Sequence, residues 1–132
     1  MNIAQLQEMI KKDIALDSKN LSKTIIQIPS FYAKYLVLLQ REQLNCTRIQ
    51  SEYDSKYKER YMFYRNDFNV ILKNKAEIDV LINGDEEMSE IKDRLFLSKN
   101  ICETIESAMK QISGMSFLIK DYIEWEKFQQ GA

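Results

Sequence analysis

The 132-residue sequence contains no histidine. This removes Ser-His and Cys-His nucleophilic pairs, His-based metal sites and the commonest general base. Cysteine is nearly as scarce. The two present, Cys46 and Cys102, lie far apart in amphipathic contexts. Two cysteines make neither a zinc site nor a disulfide framework, so a reducing, cytoplasmic setting with inert thiols is expected. One proline and three glycines leave little room for the turns of an all-β sandwich or barrel. No apolar run approaches the ~18 residues that a membrane span requires, and no membrane partner is expected. Met1 to Lys11 lacks the basic flank and apolar block of a signal peptide. A glycine-rich phosphate loop, GxSxG and HExxH are all missing, so neither enzyme activity nor a cofactor is expected.

What is present points to helix. Leu, Ile, Met, Lys, Glu and Gln are abundant, and the fold class expected is mainly α, with long helices in a single domain. Ile3, Leu6, Met9 and Ile10 share one side of a first helix over about residues 2–12. Asp17-Ser18 is placed to cap a short second helix from about Lys19 to Gln27. Pro29 suits the first turn of the next helix, because its missing N–H would be unpaired there in any case. That third helix is expected to run at least to about Tyr64, in a stretch from Ser30 to Lys75 without proline or glycine. Such a helix spans on the order of 50 Å, too long to be buried in so small a domain. Ile78, Val80 and Ile82 alternate with Asp79 and Leu81 and read as a short strand. Asn83-Gly84 is a break, and Asp85 follows as an N-cap with Glu86, Glu87 and Glu90 in the first turns. Those acids lack the spacing of a calcium loop, so no metal site is expected.

The last helix, from about Glu86 to Phe128, carries two apolar seams. Ile91, Leu95, Ser98, Cys102, Ile105, Met109, Ile112, Ser116, Ile119 and Ile123 alternate steps of four and three. A second seam holds Leu97, Ile101, Thr104, Ala108, Gln111, Met115, Leu118, Tyr122 and Trp125. Two flanking seams suit a helix that serves two neighbours, in a bundle or a ring of chains. They suit equally a wide stripe lying on the long helix of the same chain. Ile105, Met109, Ile112, Leu118, Ile119, Ile123 and Trp125 are the candidate oligomerisation residues. Gly114 within this stretch allows a close helix approach or marks a kink.

The net charge of −1 is unevenly spread: residues 1–33 carry +1, residues 34–75 carry +4 and residues 76–132 carry −6. A basic middle and an acidic C-terminal part suit two partners, or simply two solvated faces. Within the basic part, Tyr53 to Arg65 reads YDSKYKERYMFYR. Tyr53, Tyr57, Tyr61 and Tyr64 recur along one helical face, interleaved with Lys56, Lys58, Arg60 and Arg65. Rings that stack on bases beside cations that meet phosphates fit a single-stranded nucleic acid. A half-buried tyrosine packing stripe with basic groups reaching outward fits the same spacing.

Four motifs in order resemble the UvsY family of recombination mediators from T-even-type and related tailed phages. They are LQEMIKKDIALDSKNL at Leu6–Leu21, IPSFYAKY at Ile28–Tyr35, YKERYMFY at Tyr57–Tyr64 and FLIKDYIEWEKFQQG at Phe117–Gly131. The resemblance implies a non-enzymatic protein that binds single-stranded DNA and assembles into a ring, six- or sevenfold with a heptamer favoured. It also implies two protein partners, a RecA-like phage recombinase and the phage single-strand-binding protein, met in the cytoplasm of the infected bacterial host. The recombinase would be loaded onto strands from which the binding protein is displaced. The basic positions of the family's DNA-contacting element fall on Lys58 and Arg60, and its oligomerisation region falls on the double-seam helix. Residues 1–75 would then be the helical DNA-binding part, and residues 76–132 a connection and the oligomerisation helix. Tyr57 and Glu59 depart from the leucine and alanine of the family's pattern, no glycine follows Tyr64, and Met115 stands where relatives tend to carry arginine. The alternative is a structural coiled-coil assembly or scaffold protein that does not bind DNA.

Overall fold

Four helices and one π-helical turn make up the chain in a computed structural model that describes residues 2–67 and 74–131. Helix α1 spans Ile3–Asp13, α2 Leu21–Met62, α3 Lys75–Asn83 and α4 Glu86–Gln129, with the π turn at Phe63–Asp67 directly after α2. No strand occurs among the described residues.

Side-chain caps start three of the four helices, α1, α3 and α4. Asn2 Oδ1 accepts from the Gln5 amide at 2.8 Å and Gln5 Oε1 accepts from the Asn2 amide at 3.3 Å, a reciprocal capping box that starts α1. The chain then turns on Asp17, whose Oδ1 accepts from the Lys19 amide at 3.0 Å. Asn74 Oδ1 accepts from the Glu77 amide at 2.9 Å to start α3. Asp85 caps α4 as expected: its Oδ1 accepts from the amides of Glu87 at 3.0 Å and Met88 at 3.4 Å.

Two expectations from the sequence give way. The short helix ending near Gln27 and the fresh start at Pro29 are one element, because α2 begins at Leu21 and continues through Pro29. Pro29 has no N–H to return to the Ile25 carbonyl, a loss of about 3 kcal/mol in a helix interior. Ile28 and Phe31, packed against the core on either side of it, work against that loss. The strand expected at 78–82 is helix α3. Ile78 and Ile82, four apart, are buried at 3% and 1% exposure while Val80 between them is exposed. A short alternating run contains an i, i+4 pair, and here the helical pair decides. The expectation of helix continuing toward Lys75 falls partly on residues 68–73, outside the described residues.

The chain packs as two compact units, and each draws on both halves that the sequence reading divides at residue 75. Unit 1 comprises Met1–Arg41 and Ile101–Ala132. Its core joins Leu6 and Ile10 of α1 and Tyr35 and Leu39 of α2 to Ile105, Met109, Ile112 and Met115 of α4. Tyr35 is fully buried, and its hydroxyl donates to Asp13 Oδ2 at 2.7 Å. Lys34 pairs with the same carboxylate and lies 5.0 Å from the Tyr35 ring centre. Burial, followed by the Asp13 contact, pushes the Tyr35 hydroxyl far above the ordinary phenol range.

Unit 2 comprises Glu42–Asn100. Ile49 of α2 packs with Ile91 and Leu95 of α4, and a second cluster forms on Ile78, Ile82 and Met88. Ser98, the polar member of the first seam, is buried and donates from its hydroxyl to Glu42 Oε1 at 2.7 Å. Arg94 Nη1 lies 3.0 Å from Glu52 Oε1.

Candidate nucleic-acid interface

The tyrosine and basic segment lies in unit 2, on the last three turns of α2 and the π turn. The tyrosines do lie along one face, and that face is turned inward. Tyr53, Tyr57, Tyr61 and Tyr64 all pack against the cluster of Ile78, Ile82 and Met88. Tyr53 stacks on Tyr57, and Tyr57 on Tyr61, each at 6.3 Å between ring centres with interplanar angles of 29° and 28°. The π turn brings Phe63 edge-on to Tyr64 at 5.2 Å.

The hydroxyls are tied down as well. Tyr57 donates to Asp79 Oδ1, and this bond pushes its hydroxyl up to about 12. Tyr64 donates to Asp85 Oδ2 at 3.0 Å, and burial first, then this bond, raises it above the ordinary phenol value. Of the two readings of the tyrosine pattern, the structure therefore shows the packing stripe. Tyr57, Tyr61 and Tyr64 are half-buried and support the segment that carries the cations.

The four cations divide into two pairs. Lys56 and Arg60, four residues apart, face the start of α4. Lys56 Nζ lies 2.8 Å and Arg60 Nη2 2.6 Å from the same oxygen, Glu87 Oε2. Lys56 also lies 3.5 Å from Glu59 Oε1. Arg60 Nε lies 3.3 Å from Asp85 Oδ2 without hydrogen-bond geometry, and is buried with no hydrogen-bond partner. The Arg60 guanidinium carbon lies 5.9 Å from the Phe63 ring centre. The hydrogen bonds from Lys56 and Arg60 hold the Glu87 carboxyl below the usual carboxylate range.

Lys58 and Arg65 are exposed and make no ion pair with any described residue. Two residues along a helix is about 200° of rotation, so Lys58 and Arg60, adjacent in the motif, point in opposite directions. Arg65 lies beyond α2, on the π turn. Asp85 and Glu87, which meet the cations, were read from sequence only as helix-start acids, and Asp79, which accepts from Tyr57, only as a polar member of the alternating run at 78–82. They lie 21, 27 and 22 residues beyond the side chains they bond, and nothing local links them.

The candidate oligomerisation residues also divide. Ile105, Met109, Ile112 and Ile119 are buried within unit 1, the first three of them in its core cluster. Leu118, Ile123 and Trp125 remain exposed, at 58%, 38% and 57%, beside exposed Phe117 and Phe128. A Cβ at Gly114 would meet nothing within 4 Å, so this glycine serves no close approach among the described residues. The sequence reading missed a second exposed apolar group in unit 1, Ile25, Ile26, Tyr32, Leu36 and Val37 of α2. The signal was there: this part of α2 holds more apolar residues than one buried face requires.

Among the described residues no helix is long and apolar enough to cross a membrane. Their Cys, Asp and Glu side chains form no group of three or more that could hold a metal ion. A chain whose described residues are helical, with exposed cations at the end of α2 and on the π turn, falls in the class of helical nucleic-acid-binding proteins. Within that class the chain belongs to the UvsY family, described as "Recombination, repair and ssDNA binding protein UvsY", which it matches over residues 9–132. It is thereby a recombination, repair and single-stranded-DNA-binding protein. No curated protein matches the sequence.

Solved structures agree on the fold. The chain is similar to the recombination mediator protein UvsY of bacteriophage T4 in its lattice type IV crystal form, with a TM-score of 0.87 and 22% identity over 98% of this chain and 99% of that one. The lattice type II form gives 0.86 and 22% over 98% of each chain. The lattice type III form gives 0.76 and 19% over 98% and 99%.

Proposed function

We propose that the chain is a recombination mediator that loads a RecA-like phage recombinase onto single-stranded DNA covered by the phage single-strand-binding protein. It works without catalysing a reaction, as a ring of identical subunits, in the cytoplasm of the infected host. The observation that carries this reading is the family match over nearly the whole chain, joined to the outward cations Lys58 and Arg65. One subunit offers few phosphate contacts. A ring repeats them, and linked sites gain effective concentration without any new contact. Leu118, Ile123 and Trp125 supply the apolar surface for contacts between subunits. A strand drawn along several subunits is wrapped or strained, which loosens the binding protein and presents the strand to the recombinase.

Fluorescence anisotropy of a labelled oligonucleotide over a range of salt tests the DNA-contacting face. Lys58→Ala with Arg65→Ala should weaken binding and flatten the log–log salt dependence by about 0.7 per lost contact on a single strand. A folded double variant with unchanged affinity and salt slope contradicts the assignment. The exposed apolar face alone would also suit a scaffold protein. That reading predicts no salt-dependent DNA binding by the unaltered chain.

A further inference from the structure

The Lys56–Arg60 pair is occupied in a particular way. A single carboxylate oxygen, Glu87 Oε2, receives an ammonium at 2.8 Å and a guanidinium N–H at 2.6 Å. An anionic oxygen shared between lysine and arginine is also what a backbone phosphate of a strand offers.

The two acids at the start of α4 differ in how they are held. Asp85 caps α4 through Oδ1, accepts the Tyr64 hydroxyl through Oδ2, and its side chain is only 9% exposed. Removing it would uncap a helix and free a half-buried tyrosine. Among the described residues the Glu87 carboxylate pairs with Lys56 and Arg60, and its side chain is 55% exposed. It can swing away at little structural cost, because ion pairs this open to solvent hold weakly and are screened by salt. A single strand arrives with a high local density of phosphates and releases counterions as it binds.

We infer that Glu87 is an intramolecular stand-in for a strand phosphate, holding the Lys56–Arg60 pair in the free protein and giving it up to the strand on binding. The inference rests on the reading of this α2 segment as DNA-contacting, and it adds a regulated contact on the side that faces the start of α4. Each subunit's grip is lowered by the exchange. A strand is then held firmly only where several subunits engage it together, and it is released readily when few do.

The test uses the full chain, a labelled single-stranded oligonucleotide and a salt series. Glu87→Gln should bind roughly tenfold tighter than Glu86→Gln, which makes the same change in net charge on a neighbouring exposed residue that holds no cation. Lys56→Ala should flatten the salt slope by about 0.7 per engaged subunit, since Lys56 meets a phosphate in the complex. Circular dichroism on each variant confirms that α4 remains folded. Glu87→Gln binding no more tightly than Glu86→Gln overturns the stand-in. So does a Lys56→Ala salt slope equal to that of the unaltered chain, which would mean that Glu87 never lets go. The Lys58→Ala, Arg65→Ala variant reads the outward cations separately, so a failure of the stand-in, seen only in the Glu87 and Lys56 variants, is distinguished from a failure of the outward contacts. Absence of DNA binding by the unaltered chain refutes both.

Discussion

Trp125 and Leu118 are exposed on α4, and the subunit contact proposed for them has a calculable size. A tryptophan presents 150–250 Å² for burial, so at 57% exposure Trp125 keeps on the order of 110 Å² for a partner. At about 25 cal/mol per Å² this is worth about 3 kcal/mol. Leu118, at 58% exposure, adds about 1 kcal/mol on the same basis. Trp125→Ala with Leu118→Ala should therefore weaken each subunit contact by about 4 kcal/mol, roughly a thousandfold. Folding of the single chain should hardly change, because substitutions at exposed sites are usually within about 0.5 kcal/mol. Sedimentation velocity over a concentration series, with circular dichroism on the same samples, reads both quantities. The expected result is a shift to small species with an unaltered helical spectrum, and a fall in DNA affinity as multivalency is lost. A double variant that stays fully assembled at every concentration refutes the reasoning. Glutamate at Ile112 and Ile119 is the contrasting case. Both are buried in unit 1, so those changes should unfold the chain rather than merely part its copies.

Ile112 is fully buried, and Ile112→Ala should cost about 2–5 kcal/mol, seen as a lower urea midpoint. The Tyr57 hydroxyl, raised to about 12 by its bond to Asp79, stays protonated in the folded chain after an unfolded tyrosine has ionised near 10. The stability it contributes is complete below about pH 10 and is lost as pH rises toward 12. In an absorbance titration of tyrosine, Tyr57→Phe should remove a late-ionising group. A group ionising near 10 and lost in that variant would contradict the bond.

Long regular patterns were legible in the sequence because a helix repeats its contacts. The seams of α4 foretold an element from about Glu86 to Phe128, and the helix found is Glu86–Gln129. The cap at Asp85 was legible because it acts within three residues. Pro29 misled because a local rule for helix starts yields when neighbouring side chains bury into a core formed with distant residues. Ile78 and Ile82 misled because five residues fit both periods, and only tertiary packing chooses between them. The site was legible in composition and not in arrangement. Lys58 and Arg60 read as one basic element, yet helical rotation sends one outward and the other to Glu87. No periodicity announces a partner 27 residues away.

Transfer of single strands from their binding protein to a recombinase is what the proposed function requires of the chain. The most direct measurement is recombinase ATP hydrolysis on single-stranded DNA already saturated with the phage single-strand-binding protein. Adding the chain should shorten the lag and raise the steady rate, while Lys58→Ala with Arg65→Ala should restore the lag. An unchanged lag at every concentration of folded, DNA-binding protein would contradict the account.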